Sequence, residues 1–192
     1  MNKPNNYDNT STGDFTPITL GGHRAIIKEV KETQSRSGKD MVTVSIDFAA
    51  EDEQAKYFEK QYKTDTRPEK KWPYQAVQNI LVNNSEGKTS KSFKSFCTAF
   101  ENSNGVKIQW GESNWGAQFK NRRIGVVFGA VEEEYNGQVK TRHRIRWFCD
   151  DRKALDQSIP EKKGLAGSAT STPTDSGDVW MPFPDGDELP FN

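Results

Sequence analysis

The dipeptide Asn136-Gly137 stands between two runs rich in β-branched and aromatic residues, and this leaves little choice of local structure. A two-residue type I′ turn needs positive φ at both loop positions, which asparagine and glycine tolerate best. The sequence therefore predicts an antiparallel hairpin over residues 122–148, with Tyr135 facing Gln138 and every further pair keeping the same residue-number sum. On one face Ala130 then meets His143, Phe128 meets Ile145 and Val126 meets Trp147, an apolar row suited to an interior. On the other, Glu133 meets Lys140, Val131 meets Arg142, Gly129 meets Arg144, Val127 meets Arg146 and Gly125 meets Phe148. Small side chains opposite three arginines predict an open, shallow, cationic surface.

Upstream, Ile18 to Glu32 reads as a strand with a bend or bulge at Gly21-Gly22, and Met41 to Phe48 as a second strand, with Val42, Val44, Ile46 and Phe48 on one face. The polar stretch Ser35 to Asp40 joins them as a hairpin loop. A third strand is expected around Tyr57 to Tyr62, then a charged loop through Arg67-Pro68-Glu69-Lys70-Lys71, then a short helix from Tyr74 to Val82 with Val77, Ile80 and Leu81 on one side. Phe93, Phe96, Cys97 and Phe100 recur at helical spacing, which predicts an amphipathic helix started by Ser90 or Ser92, stopped before Asn104-Gly105, and turned into the core. Residues 1–14 and 164–192 hold too little apolar material to pack and are expected to be disordered, leaving one domain over 15–163.

The formal net charge is zero, yet it is unevenly spread. The domain carries more lysine and arginine than acid, whereas residues 164–192 hold five acids and no base. A basic body with an acidic arm suits a polyanionic ligand and a separate interaction tail. No apolar run suggests a membrane span or signal peptide, so a cytoplasmic protein is expected. Cys97 and Cys149 are expected to be reduced thiols. With His23 and His143 they show no close spacing that would start a zinc site. Gly87-Lys88-Thr89 lacks the first glycine of a phosphate-binding loop, since Val82 stands there. Glu132 to Glu134 and Asp150-Asp151 could suggest a two-metal nuclease, but the first run sits by a hairpin tip where alternate residues diverge, so a solvated turn is expected there. No cofactor, metal or catalytic residue is expected.

A groove for single-stranded nucleic acid needs cations along the phosphates and flat surfaces for the bases. Arg142, Arg144, Arg146 and Phe148 supply both on the hairpin face, extended by Arg36 and Lys39 in the first loop and Arg122 and Arg123 before the fourth strand. Trp72, Trp110 and Trp115 lie in polar surroundings, where stacking on bases and closing a barrel mouth are both open readings. The order of strands and helices is that of an OB-fold, a five-stranded barrel with one or two helices inserted before the last hairpin.

The stretch from Gln118 to Asp150, especially Asn121 to Gly129 and Tyr135 to Phe148, together with Ser35 to Met41, resembles phage- and prophage-encoded single-stranded DNA-binding proteins of Gram-positive bacteria. The end, Asp185-Gly186-Asp187-Glu188-Leu189-Pro190-Phe191-Asn192, is similar to the acidic, Phe-bearing tip of bacterial single-stranded DNA-binding proteins, departing from it by the added Asn192. The resemblance implies a non-enzymatic, largely sequence-independent binder of single-stranded DNA in the host bacterial cytoplasm. It also implies recruitment of replication, recombination or repair proteins through Asp185, Asp187, Glu188, Leu189, Pro190 and Phe191. An RNA or mixed nucleic-acid binder, a metal-dependent DNA-processing enzyme and a pure protein-interaction module are the rival readings, and homo-oligomerisation is left open.

Overall fold

The structure is a computed structural model that describes Lys3 and residues 16–165. The remaining N-terminal residues and everything after Leu165, including the expected acidic tip, lie outside the described residues.

Five strands form one antiparallel sheet: β1 (Gly21–Gln34), β2 (Asp40–Phe48), β3 (Val77–Leu81), β4 (Arg123–Tyr135) and β5 (Gln138–Cys149), in the order β3-β2-β1-β4-β5. Two helices accompany it, α1 (Tyr57–Thr64) and α2 (Lys91–Asn104). The sheet is not closed into a barrel, which corrects the expectation of a closed five-stranded one. The edge strand β3 is only five residues long, and a 3-10 turn (Tyr74–Ala76) precedes it. There the Tyr74 ring packs 3.9 Å from the Arg144 guanidinium of β5, so a side-chain contact takes the place of backbone pairing.

The strand β2 forms as its alternation requires, with Val42, Val44, Ile46 and Phe48 all buried. Helix α2 is also as expected: the Ser90 hydroxyl accepts from the Phe93 N–H, Gly105 closes the helix at positive φ, and Phe93, Phe96, Cys97 and Phe100 are buried. Phe96 and Phe100 meet Phe119 at 5.5 and 4.5 Å between ring centres, and Phe48, Phe58 and Phe128 form a second aromatic group beside them.

The middle of the chain departs from expectation. Residues 57–64 form helix α1 rather than a strand. Lys56 precedes it in the left-handed region without a side-chain cap, and the capping acceptor is Asp47 of β2, whose carboxylate accepts from the N–H groups of Phe58 and Glu59. An intrahelical pair, Lys63 to Glu59 at 2.5 Å, adds to this. Residues 74–82 are not a helix: after the 3-10 turn, Val77–Leu81 extend along the open edge of β2, where Ser45 to Met41 offer backbone partners. Pairing with that edge satisfies backbone groups that β2 would otherwise leave unmatched.

In β4–β5 the turn residues Asn136 and Gly137 have φ of 50° and 72°, and the expected register holds from Tyr135↔Gln138 to Phe128↔Ile145. Beyond that a bulge at Arg146 shifts it: Val127 faces Trp147, Val126 faces Phe148 and Gly125 faces Cys149. The three expected pairs of Val126 with Trp147, Val127 with Arg146 and Gly125 with Phe148 are thereby replaced. Phe148 enters the core against Phe96, 5.3 Å away, and Trp147 is 37% exposed on the other face. A bulge also occurs in β1 at Lys28, not at Gly21-Gly22.

Residues 154–163 cross the hairpin's outer face as a strap. A Cβ on Gly22 would lie 1.7 Å from the Ala154 carbonyl oxygen, and one on Gly129 would lie 2.6 Å from Pro160 Cγ, so both glycines permit the crossing. The strap ends on the free edge of β4, where Lys163 N–H donates to Ala130 O and Glu132 N–H to Lys163 O, and Lys162 pairs with Glu132 at 2.5 Å.

Candidate nucleic-acid interface

The hairpin arginines do not form an open ladder. Arg144 is buried between the Tyr74 ring and the Glu133 carboxylate, 2.5 Å from its Nε. Arg146 donates from Nη1 to the Glu161 carbonyl of the strap at 3.0 Å, and burial pulls its pKa down. Burial, with the Arg146 charge beside it, also lowers the pKa of Lys163. Arg142 is half-buried, and Phe148 is a core residue. Gly129, opposite Arg144, makes room for Pro160 of the strap and for the Arg146 stem, and Gly125 for Cys149 and the Asp150 backbone, rather than for an open surface.

The remaining sequence-selected residues are scattered. Arg36 and Lys39 are exposed on the β1–β2 loop, closed by Ser35 N–H to Lys39 O at 2.8 Å. Arg122 is exposed, whereas Arg123 pairs with Glu51 and with Asp151. Trp115 is 5% exposed and packs on Phe119 at 4.6 Å, a packing residue. Trp110, 62% exposed, stacks on Trp115 beside a cleft at the loop end of the sheet.

A different grouping surrounds Trp72. The sheet face opposite the core carries Lys28 and Lys31 of β1, Thr43 and Ser45 of β2 and Asn79 of β3. Thr33, Thr43 and Asn79 form a hydrogen-bonded row across it, at 3.2 and 2.8 Å. At its margin the Trp72 indole donates to Ile46 O at 2.9 Å, just beyond where β3 stops pairing with β2. That bond sets the ring plane. Tyr62 of α1 packs on it at 5.6 Å between ring centres. The Lys28 ammonium lies 5.8 Å from the Trp72 ring and that of Lys70 lies 5.9 Å from Tyr62. The result is two half-buried aromatic rings flanked by two cations at the edge of a polar sheet face.

Trp72 belongs to the set selected from sequence; Lys28, Tyr62 and Lys70 do not. Lys28 had a local signal, the outward alternation of Arg24, Ile26 and Lys28 in β1, but Tyr62 depends on α1 being a helix. Chemically the group can stack on planar rings and attract anions. Asp47, near Lys28, is buried, and burial raises its pKa against three backbone donors and the Lys28 charge. The acids on this side are largely engaged, Glu29 with Lys31 at 3.0 Å and Asp65 with Arg67 at 2.7 Å. No helix among the described residues is long and apolar enough to cross a membrane. No protein-family model and no curated protein matches this sequence.

Proposed function

We propose that this chain is a single-stranded DNA-binding protein built on an OB-type arrangement of strands, acting without catalysis in replication, recombination or repair. The observation that carries the reading is the Tyr62–Trp72 pair with Lys28 and Lys70 beside it, on the margin of a sheet face lined with hydroxyl and amide groups. Rings give sequence-tolerant stacking and ammonium groups meet phosphates, the two requirements of such a groove. Arg36 and Lys39 on the adjoining hairpin loop extend the cationic path, while Arg144 and Arg146 hold the fold together instead. Further support is the order of elements, with a helix between the third and fourth strands, and the resemblance of residues 118–150 to phage-encoded proteins of this kind. In this proposal the tip, Asp185 to Phe191, recruits partner proteins, and the site of action is the bacterial cytoplasm.

The test is fluorescence anisotropy with labelled oligo-dT and its duplex across a salt series. Single-stranded DNA binds more tightly, and Trp72→Ala costs about 1 to 3 kcal/mol of binding, the range for one stacked base. The Lys28→Ala/Lys70→Ala pair flattens the log K against log salt slope by about 1.4, at roughly 0.7 for each phosphate contact. Circular dichroism verifies that the variants stay folded. Equal affinity for duplex, or unchanged binding in all three substitutions, refutes the proposal.

A further inference from the structure

On the core side of the β1–β2 hairpin end, a cleft of about 370 Å³ opens between the strands and the segment following α2. Its walls include Phe93, Trp110 and Trp115, and its charged lining residues are Glu32, Asp40 and Glu112, with no lysine, arginine or histidine among them. Glu32 and Glu112 are exposed, and none of the three carboxylates has an ion-pair partner among the described residues. Trp110 is 62% exposed, stacked at 23° on Trp115 with 5.6 Å between ring centres and edge-on to Phe93 at 6.3 Å. Beneath it, Trp115 is 5% exposed and its indole N–H is buried with no acceptor. A buried donor of that kind is uncommon in a folded chain and marks a place where an acceptor from outside is needed.

From these observations we infer that the cleft is a docking site for a cationic peptide segment, one arginine of which lies over Trp110 between the carboxylates of Glu32 and Glu112. A guanidinium fits each part: its flat face stacks on an indole and its forked donors match carboxylates. A main-chain carbonyl of the same segment supplies the acceptor that Trp115 lacks once the Trp110 ring shifts to admit it. The charge selects against a phosphate backbone, since three unpaired carboxylates repel it. The site is therefore separate from the Tyr62–Trp72 group, and the protein can hold a basic partner without giving up a polyanion bound elsewhere.

The experiment is NMR titration of the ¹⁵N-labelled full chain with an acetylated, amidated Gly-Arg-Gly-Arg-Gly peptide and with the same peptide carrying neutral citrulline for arginine. The Trp110 and Trp115 indole signals are assigned by their loss in Trp110→Ala and Trp115→Phe. Both signals shift saturably with the arginine peptide. Binding falls about tenfold with citrulline, which keeps the shape but loses the charge. It falls about fivefold or more in Glu32→Gln/Glu112→Gln, which removes two of the attracting charges. The inference is overturned if the peptide produces no saturable shift, if citrulline binds equally well, or if oligo-dT displaces the peptide from Trp110. The last result would make the cleft part of a nucleic-acid surface.

Discussion

Helix α1 begins without a cap of its own, and the reliance on Asp47 can be measured. One carboxylate oxygen accepts from the Phe48 and Phe58 N–H groups at 2.9 and 3.0 Å, the other from Glu59 N–H at 3.2 Å. Phe48 and Phe58 are almost fully buried, so water cannot replace the lost acceptor. Losing a helix cap costs about 1 kcal/mol. That cap covers the Phe58 and Glu59 N–H groups; the Phe48 N–H, a further buried donor left unmatched, costs about 1 to 3 kcal/mol, and together Asp47→Ala should lose about 2 to 4 kcal/mol. Asp47→Asn keeps the one oxygen that the Phe48 and Phe58 N–H groups need and gives up the longer Glu59 bond together with a buried charge, so its cost should stay within about 1 kcal/mol. The pH dependence gives a second reading. The folded pKa lies above the ordinary 3.8, chiefly through burial, so this group's stabilisation is complete below pH 3.8 and is lost as pH rises through the folded value. Asp47→Asn lacks that loss, and the wild type should approach or fall below it as pH rises from about 3.5 to 6. Urea unfolding followed by tryptophan fluorescence and far-ultraviolet circular dichroism measures both. An Asp47→Ala variant within about 0.5 kcal/mol of wild type would refute the capping argument, since even a lone exposed cap is worth about that much.

Two further predictions concern the strap and the thiols. Gly22→Ala drives a methyl into the Ala154 carbonyl, so it should destabilise by about 1 to 3 kcal/mol in the same urea assay, whereas Gly87→Ala, in an exposed loop, meets no atom within 4 Å and costs only what its positive φ demands, about 1 kcal/mol. Burial pushes the thiols of Cys97 and Cys149 up to about 12 and about 11, so neither should react with a disulfide reagent at pH 8 until denaturant is added, and rapid labelling of the native chain would contradict the buried geometry.

What could be read in advance was what local chemistry decides. Asn136-Gly137 names its own turn, the alternation of Val42 to Phe48 names its own face, and Ser90 to Gly105 carries a helix with both ends marked. The failures share a cause, since in each the deciding partner lies outside the segment itself. Asp47 caps α1, the edge of β2 draws Val77–Leu81 into a strand, and Tyr74 meets Arg144 seventy positions on. For the site, arginine spacing was visible but the strap over it was not, because Gly22 and Gly129 look like loose positions until Ala154 and Pro160 are seen against them. Trp72 was recognisable as a polar-loop tryptophan, whereas its companions came together only through α1 and the outward face of β1.

The bulge in β5 bears on how this chain tolerates changes of length. On either side of Arg146 the strand meets β4 in continuous pairs, Ile145 with Phe128 and Trp147 with Val127, so the ladder has no use for the residue between them. A β5 shorter by that one residue would keep every other partner and every buried side chain in place. What it would forfeit is the guanidinium that reaches the Glu161 carbonyl. The extra residue is thus one that the sheet accommodates while it ties the strap down.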